Sequence, residues 1–413
     1  MNRATDAERL ARAALTYLAE PGDKVAGALL RTCGAEALVA AIRAGGGAPQ
    51  AIAAEYADQS GTAGTAKVME AMGTAEVVGI TGVARAMGTA GTAGIGRSMR
   101  NWRARLAEIP GERDLSEAEL AGIRVVCPGD PEWPTQLDVL GDARPYALWL
   151  RGRADLRHSC LRSVSIVGAR AATAYGSHVS AELAAGLAGR GWAVISGGAY
   201  GIDGCAHRGA LAAEGITVAV LACGVDNPYP HGNHELFAAI AAQGLLVSEW
   251  PPGRNPTRAR FLARNRVIAA LSRGTVVVEA RRRSGALSTA RHARDLCRPV
   301  MAVPGPVTSD SSAGCHWIMR EWGAVCVTSP GDVLEHVAVI GEHLIVPGPV
   351  LGSAELDPVT ARVLEAVPMR GGAGPATIAV SAGVALDTTL SCLGLLAAGG
   401  FVARGPRGWR LAR

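Results

Sequence analysis

The chain has 413 residues, of which 49% are hydrophobic, and it carries a formal net charge of +5. This length and composition predict a globular protein of two or three domains with a sizeable buried core. The sequence has no run of about 18 apolar residues and no N-terminal signal-peptide pattern, which argues against membrane insertion and leads us to expect a cytoplasmic protein.

Cysteine and arginine usage indicate the state of the thiols and the charge of the expected binding partner. The nine cysteines are scattered and form no Cys-x-x-Cys pair, which favours reduced thiols over a disulfide framework or a zinc site. Lysine occurs only at Lys24 and Lys67, so arginine supplies nearly all of the positive charge. Twelve arginines lie between Arg254 and Arg298, against two acidic residues, and this clustering favours an anionic partner.

The N-terminal region divides into two segments. Residues 1–58 carry apolar side chains at helical spacing, interrupted by turn residues, and predict a small helical unit. Within residues 59–118 the tripeptide Gly-Thr-Ala recurs at positions 61, 64, 73, 88 and 91, which is typical of a flexible insert or linker, with room for a helix in its middle.

Residues 119–340 alternate short apolar strands with helical stretches. The strands are continuous apolar runs, such as SVSIVG, TVAVLACG and TVVVEA, a pattern typical of strands buried on both faces. The predicted fold class is therefore α/β with a doubly wound, mostly parallel sheet. After a linker at 341–354, residues 355–413 show three short helical patterns and a hairpin, the order of a winged-helix-like domain.

Two loops after predicted strands contain residue types that bind phosphate. Ligands of open parallel sheets lie beyond the carboxyl ends of the strands, where helix N-termini present unpaired N–H groups. In SIVGARAATAYG, Arg170 follows a strand and offers a guanidinium group. In VISGGAYGIDGCAH, Gly197, Gly198 and Gly201 allow a ligand to approach the backbone, and Ser196 adds a hydroxyl.

The arginine-rich region adds an aromatic residue to these loops. Phe261 precedes Arg264, Asn265 and Arg266, which combines a stacking platform with donors directed at a nucleic-acid backbone. In the next loop, RRRSGALSTA, Ser284 is placed to cap a helix whose N–H groups would face an anion. Three such loops along one sheet edge favour a polymer, and specifically a single-stranded nucleic acid.

Together these stretches resemble the DNA-processing protein A family, known as DprA or Smf, from about Gly129 to Leu334. The resemblance rests on eight motifs in order: DPEWPTQL, SIVGARAATAYG, VISGGAYGIDGCAHRGAL, GVDNPYPHGNHEL, VSEWP, FLARNRVIAALS, VVVEARRRSGALSTARHA and AVPGPVTSDSSAGCHWI. It implies an extended Rossmann domain that binds single-stranded DNA of any sequence, forms a homodimer and helps to load the RecA recombinase in natural transformation. It implies no catalytic turnover, and we expect no cofactor and no metal.

Residue by residue, the resemblance also implies the DNA contacts. They are Arg170, Ser196, Gly197, Gly198, Gly201, Phe261, Arg264, Asn265 and Arg266, with Ser284 and Gly285 as second-rank contacts. Two positions depart from the family pattern, because Tyr200 stands where many members carry lysine and Leu262 stands where proline is common. A tyrosine at 200 could stack on a base instead of contacting a phosphate. The N-terminal helices resemble the SAM-like or helix-hairpin-helix unit of the family.

Two nucleotide-directed interpretations of the same residues remain open. The spacing Ser196-x-Gly198-x-x-Gly201, followed by Asp226, is an imperfect dinucleotide fingerprint with serine in place of the first glycine. Glu279 at a strand end could serve as the acid or base of a nucleotide-processing Rossmann hydrolase related to the phosphoribohydrolases. That enzyme would need a PGGxGT loop, which VEARRRSGALSTA is not.

Histidines and serine provide two weaker enzymatic alternatives. His207, His231 and His234 are a candidate metal set, but no carboxylate supports it. Ser196, Asp203 and His207 are a candidate hydrolytic triad, but the serine lacks a G-x-S-x-G elbow.

The C-terminal domain offers a third class of function, a winged-helix regulator that binds duplex DNA. Its predicted recognition helix, ALDTTLSCLGLLAAGG, contains no lysine or arginine, which favours protein contact or domain packing. Arg404, Arg407 and Arg410 in the hairpin are its candidates for weak DNA contact.

Overall fold

The computed structural model describes residues 4–44, 92–109, 118–338, 356–368, 372–405 and 408–411. The chain forms two compact units, Met1–Ala338 and Val339–Arg413. Most of the predicted insert at 59–118 and the whole predicted linker at 341–354 lie outside the described residues. Within the described ranges, no single helix is long and apolar enough to cross a membrane.

The first unit begins with helices α1 (Asp6–Leu18), α2 (Lys24–Cys33) and α3 (Ala35–Ala44). Thr5 and Asp23 cap α1 and α2 by accepting hydrogen bonds from backbone N–H groups of the first turn. The helices bury a shared apolar core, in which Leu15, Leu38 and Ile42 are almost inaccessible to solvent. The described part of this segment, residues 4–44, therefore consists of three helices joined by short turns.

A fourth helix lies inside the segment 59–118, for which the sequence predicts a flexible insert or linker with room for a helix. This is helix α4 (Thr92–Arg103). Ile95, Met99 and Trp102 recur at intervals of four and three residues and pack on the core of α1–α3. Only the last copy of the Gly-Thr-Ala repeat overlaps this helix, and the apolar residues lie after it, so the repeat does not indicate their position.

A nine-stranded sheet is the centre of the first unit, in the order β1-β2-β6-β5-β4-β3-β7-β8-β9. Strands β3 to β9 pair with one another in parallel, whereas β1 pairs antiparallel with β2 and β2 pairs antiparallel with β6. The prediction of a doubly wound, mostly parallel sheet is confirmed. The strands are β1 Ile123–Val126, β2 Leu148–Gly152, β3 Ser163–Val167, β4 Ala193–Ser196, β5 Thr217–Leu221, β6 Leu245–Ser248, β7 Thr275–Val277, β8 Val300–Ala302 and β9 Val325–Cys326.

Helices cover both faces of the sheet. Consecutive strand residues point to opposite faces, so Val276 joins one apolar cluster and Val277 the other. The helices that follow the first strands are α5 Leu156–Leu161, α6 Ala174–Ala188, α7 Ile202–Ala212, α8 His234–Gln243, α9 Arg258–Leu271, α10 Gly285–Asp295, α11 Ala313–Trp322 and α12 Pro330–Val337. The Val276 cluster includes residues of α6, α7 and α12, and the Val277 cluster includes residues of α9, α10 and α11.

The strand order creates a crevice at the carboxyl end of β3. The chain passes from β3 to β4 on one side, and later places β7 on the other side of β3. At such a switch point the loops after neighbouring strands diverge and leave room for a ligand. The loops that carry Arg170 and the glycine turn therefore meet at this crevice.

The second unit has the predicted order of elements. Helices α13 (Pro358–Glu365), α14 (Pro375–Ala382) and α15 (Leu386–Ala398) precede an antiparallel hairpin of β10 (Val402–Gly405) and β11 (Gly408–Leu411). Its own apolar core joins all five elements, with Leu393 and Ile378 fully buried. Three helices followed by a hairpin agree with a winged-helix-like fold.

Candidate nucleic-acid interface

A cavity of about 660 Å³ opens at the switch point of the sheet. It is lined by the end of β3, the loop after β4, helix α9 and the first turn of α10, with Tyr229 at one side. Six of the predicted contact residues line it: Arg170, Phe261, Arg264, Asn265, Ser284 and Gly285. The other five predicted residues, Ser196, Gly197, Gly198, Gly201 and Arg266, are not among its lining residues.

The serine and glycines of the glycine turn, residues 196–201, do not line the cavity but pack against residues that do. Ser196 is fully buried, and its hydroxyl donates to the Ile166 carbonyl at 2.6 Å. A Cβ atom on Gly197 would lie 2.6 Å from the guanidinium of Arg264, so only glycine leaves room for that side chain. Gly198 has a φ of +68°, and its Cβ position would lie 2.5 Å from the Phe237 ring.

Gly201 sets the position of the Arg170 loop. Its φ is +75°, and a Cβ atom there would lie 2.3 Å from the Ala169 carbonyl and 2.5 Å from that of Arg170. The first N–H of α7, from Ile202, donates to the Ala169 carbonyl at 3.2 Å. The turn predicted to touch phosphate thus holds the loop that presents the exposed Arg170 side chain.

Arg264 is a buried cation at the floor of the cavity. Its Nη1 donates to the Gly197 carbonyl at 2.9 Å and also to the Val220 carbonyl. Burial lowers the pKa of Arg264 to about 10, and the Asp203 carboxylate opposes that shift, so the guanidinium stays charged at neutral pH. Burial raises the pKa of Asp203, while Arg264 and the Gly197 N–H, 3.1 Å from Oδ2, favour its charged form.

Phe261 is the centre of an aromatic and cationic cluster. The guanidinium carbon of Arg170 lies 4.8 Å from the centroid of the Phe261 ring, and that of Arg264 lies 5.9 Å from it. Tyr229 meets the same ring at a centroid distance of 6.1 Å and an interplanar angle of 61°. The sequence motif GVDNPYPHGNHEL contains Tyr229 but does not indicate a role for it, and the structure adds this residue to the site.

The side chains of Asn265 and Arg266 point in different directions, Asn265 toward the start of α10 and Arg266 into the protein interior. The Asn265 amide nitrogen donates to the Gly285 carbonyl at 3.3 Å and so ties α9 to the start of α10. Arg266 forms a two-pronged ion pair with Glu249, with N–O distances of 2.6 and 2.7 Å, and its Nε donates to the Ala143 carbonyl. Both members of the pair are buried. The guanidinium predicted to contact DNA is therefore bound to a carboxylate inside the protein.

The first turn of α10 faces the cavity. Ser284 caps this helix, as predicted, because its hydroxyl accepts a hydrogen bond from the Ala286 N–H at 3.3 Å. Ser284, Gly285 and Ala286 all line the cavity. A helix N-terminus carries a partial positive charge, so this turn adds to the field of Arg170 and Arg264.

The comparison with protein families identifies the chain through the domain that carries this cavity. The sequence profile of the family described as DNA recombination-mediator protein A matches residues 124–338, slightly more than half of the chain. The chain belongs to this family. The matched range contains the whole parallel part of the sheet and every residue that lines the cavity. The resemblance inferred from the eight motifs is confirmed.

Individual relatives of the recombination-mediator family agree with this assignment. A DprA protein of Mycobacterium tuberculosis is 48% identical over 312 residues, which cover 73% of this chain and 80% of that protein. The DNA processing protein DprA of Streptococcus pneumoniae is 40% identical over 205 residues, 50% of this chain and 71% of that protein. The X-ray structure of DNA processing protein A from Streptococcus pneumoniae aligns with a TM-score of 0.53 and 35% identity, covering 60% of this chain and 86% of that chain.

The carboxylate considered for a hydrolase has a structural partner in this member of the family. Glu279 is buried, and its two oxygens accept hydrogen bonds from the Thr173 hydroxyl at 2.7 Å and the Thr173 N–H at 3.0 Å. A Cβ atom on Gly176 would lie 2.3 Å from this carboxylate, so the first turn of α6 is packed against it. Glu279 therefore holds the N-terminus of α6 and does not line the cavity.

The histidines and serine considered for metal or triad chemistry are placed apart. Among the residues that the structure describes, no three His, Cys, Asp or Glu side chains are grouped to hold a metal ion. His207 is fully buried, whereas His231 and His234 are exposed. The His207 Nδ1 lies 2.7 Å from the Thr217 hydroxyl, and the Ser196 hydroxyl bonds to a backbone carbonyl.

The network around His207 defines its tautomer. The Thr217 hydroxyl donates its one hydrogen bond to the Val194 carbonyl at 2.8 Å, so it must accept a hydrogen bond from the Nδ1–H of His207. Nε2 is then the unprotonated nitrogen, and it is buried without a hydrogen-bond partner among the described residues. Adding a proton there would place an unpaired charge in the core, and burial accordingly lowers the pKa of His207 to about 3.

This lowered pKa predicts a pH-dependent stability. The unfolded imidazole takes up a proton below about pH 6.5, but the folded one does not until about pH 3, so stability is full above pH 6.5 and falls below it. We expect the free energy of unfolding to drop by about 2 kcal/mol more between pH 7 and pH 5 in the wild type than in His207→Leu. Urea denaturation at the two pH values measures this difference. Equal pH dependence in the two proteins would show that the folded imidazole takes up its proton over the same pH range as the unfolded one, so that its pKa is not lowered.

Proposed function

We propose that this protein binds single-stranded DNA in the cavity at the switch point, without preference for base sequence. The phosphates of the strand contact Arg170 and the first turn of α10, and the buried charge of Arg264 attracts them. One base stacks on Phe261 beside Tyr229. The observation that carries the proposal is the Phe261 cluster, in which an aromatic ring that lines the cavity has two guanidinium carbons 4.8 Å and 5.9 Å from its centroid. An accessible ring and a positive groove are the two features shared by proteins that bind single strands.

The cavity favours single strands over duplex DNA because its central contact is a ring face. A base can stack on Phe261 only when the base is free of its neighbours and of its pairing partner. In a duplex the bases offer only their edges in the grooves, which are read by side chains that donate and accept hydrogen bonds. Asn265 is the lining side chain best suited to that task, and its amide is already engaged on both sides: its nitrogen donates to the Gly285 carbonyl and its oxygen accepts from Arg264 Nε. This arrangement also supports binding without sequence preference.

The proposal revises the contact set inferred from the sequence. Arg170, Phe261, Arg264, Asn265, Ser284 and Gly285 stay as contacts, with Tyr229 added. Ser196, Gly197, Gly198 and Gly201 become positioning residues for Arg264 and for the Arg170 loop. Arg266 becomes a residue that fixes α9 through its ion pair with Glu249.

The proposal extends to the protein's partners and surroundings. We propose that the protein acts as a homodimer in the cytoplasm, protects single strands and helps to load RecA on them in transformation or recombination, without catalysing a reaction and without a cofactor. Membership of the recombination-mediator family and relatives named for DNA processing support this role. Light scattering of the purified chain tests the dimer, and RecA assembly on single strands coated with a competing binding protein tests the loading step.

The binding itself is tested by fluorescence anisotropy of labelled oligothymidylate across a salt series, with and without duplex competitor. If four or five phosphates are contacted, the logarithm of the binding constant should fall with the logarithm of salt concentration at a slope near −3, from about −0.7 per contact. Salt-sensitive binding that resists duplex competition supports the proposal. An absence of binding at low salt, or displacement by duplex, contradicts it.

Arg170 provides the most direct test of a phosphate contact. We expect Arg170→Ala to weaken binding and to make the salt slope less steep by about 0.7, since one charged contact is lost. Arg190→Ala is a matched control, because Arg190 is exposed before β4 at the opposite, amino edge of the sheet. If Arg170→Ala keeps the wild-type slope, Arg170 is not a phosphate contact.

For the second unit we propose a protein contact and not duplex binding. Helix α15 carries no basic residue and exposes Leu386, Leu390 and Leu395. Such a surface has no positive side chain to bind phosphates, and phosphate contacts supply most of the affinity in duplex binding. Arg404 and Arg410 in the hairpin are exposed, and Arg407 lies outside the described residues. Unchanged single-strand binding and loss of duplex binding in Arg404→Ala/Arg410→Ala would contradict this assignment.

A further inference from the structure

The turn between α1 and α2, residues 19–23, packs against helix α9 on a side that does not line the cavity. We call it the α1–α2 turn. Oε1 of Glu20 accepts a hydrogen bond from Nη2 of Arg260 at 3.0 Å. Arg260 directly precedes Phe261 in the first turn of α9, and of these two residues only Phe261 lines the cavity. The N-terminal helices therefore contact the residue next to the proposed base-stacking ring.

Glu20 binds donors from three separate parts of the chain. Besides Arg260 on α9, Nη1 of Arg105 donates to Oε1 at 3.2 Å, and Nε1 of Trp250 donates to Oε2 at 3.2 Å. Burial alone would raise the pKa of Glu20, but the hydrogen bonds and charges of these donors, Arg260 foremost, lower it below its ordinary value. The carboxylate is therefore ionised at neutral pH, and it holds two guanidinium groups and an indole N–H together.

Arg260 connects Glu20 to the segment that leads into the cavity. Its Nη1 donates to the Asn255 carbonyl at 2.8 Å, and its guanidinium carbon lies 5.8 Å from the centroid of the Trp250 ring. The two residues that follow Asn255 both line the cavity, and the second of them caps α9. Glu20 is therefore linked to the wall of the cavity through a single intervening side chain.

The α1–α2 turn is itself fixed to its surroundings. The hydroxyl of the buried Tyr146, just before β2, lies 3.2 Å from the Glu20 carbonyl oxygen and 3.3 Å from that of Asp23. Gly22 has a φ of +81°, and a Cβ atom there would lie 3.2 Å from Nε of Arg266, so glycine allows the turn to lie close to α9. Because the turn is held from both sides, it can determine the position of the residues that it contacts.

We propose that the α1–α2 turn is a positioning element of the DNA site. Glu20 holds Arg260 and the segment that begins at Asn255, so that the ring of Phe261 stays where a base can stack on it. Glu20 is a positioning residue and not a DNA contact, because a carboxylate repels phosphate. The N-terminal helices thereby set the affinity of a cavity that none of their described residues lines. This inference rests on the proposed function, because its effect is measured on a strand bound in the cavity.

Glu20→Gln tests this role because charge and position predict opposite results. The substitution keeps the size of the side chain and removes one negative charge, so by charge alone it should tighten the binding of a polyanion. We expect it instead to weaken oligothymidylate binding by about 2- to 30-fold, the range known for substitutions that act on a site without touching its ligand. The salt slope should keep its wild-type value, since no phosphate contact is lost. Anisotropy across a salt series measures both quantities.

Two comparisons separate positioning from a general effect of the substitution. Glu36→Gln removes the same charge from an exposed position in the first turn of α3, and it should not weaken binding. In the Phe261→Ala background, Glu20→Gln should cause no further loss of affinity, because the ring that Glu20 positions is absent. Urea denaturation of each variant establishes that affinity is measured on folded protein.

The outcomes distinguish the α1–α2 turn from the cavity. If wild type does not bind oligothymidylate, the proposed function fails and the role of the turn fails with it. If wild type binds and Glu20→Gln binds equally or more tightly, the role of the turn is overturned and the cavity stands. An equal loss in the wild-type and Phe261→Ala backgrounds also overturns it, since Glu20 then affects binding by a route other than the ring.

Discussion

Replacing Arg266 with alanine is expected to lower the free energy of unfolding by about 3–5 kcal/mol and to leave the DNA affinity of the folded protein nearly unchanged. Arg266 is bound to Glu249 by two hydrogen bonds in the interior, and its Nε also bonds to the Ala143 carbonyl. Burial raises the pKa of Glu249 and Arg266 opposes that shift, so the variant leaves a carboxylate without its partner. Chemical denaturation measures the stability, and anisotropy measures the affinity.

The control for this prediction replaces both partners. Arg266→Met/Glu249→Met removes both charges and refills the space with flexible apolar side chains, which is expected to recover most of the lost stability. A stable Arg266→Ala protein with weakened DNA binding would show the opposite. In that case Arg266 would be a DNA contact, as the sequence predicted, and the ion pair would contribute little to folding.

Arg264 and Arg266 show how far sequence alone predicts the site. They are two residues apart on α9, and at 3.6 residues per turn their side chains leave the helix about 200° apart. Only one of them can therefore face the cavity. The sequence cannot say which, because the choice depends on the Gly197 carbonyl and Glu249, groups that are distant along the chain.

The fold was more predictable than the site because its signals are local. Apolar runs between helical stretches predicted the parallel sheet, and glycine and arginine after the strands predicted where a ligand would bind. The role of the glycine turn was not predictable, since Gly197 and Gly201 leave space for neighbours that sequence does not identify. Tyr229 was missed for the same reason, because it reaches Phe261 from a different loop.

The second large effect is expected at Phe261. Phe261→Ala should lose about 1–3 kcal/mol of single-strand affinity, or roughly 5- to 150-fold in Kd, because a stacked base loses its platform. The salt slope should stay the same, since no charge is removed. Phe261→Trp is the control and should keep the affinity, because a larger ring can still face Arg170 and a base. Anisotropy across a salt series gives both quantities.

An abasic strand distinguishes stacking from an indirect effect of the Phe261 substitution. The ring also holds Arg170 and Arg264 by cation–π contacts, so its removal could displace two cations and weaken phosphate contacts instead. If stacking is responsible, wild type and Phe261→Ala should bind an abasic oligonucleotide equally, because neither has a base to stack. If the difference between them persists on the abasic strand and the salt slope changes, Phe261 acts by placing the two guanidinium groups, and the base-stacking part of the proposed function is wrong.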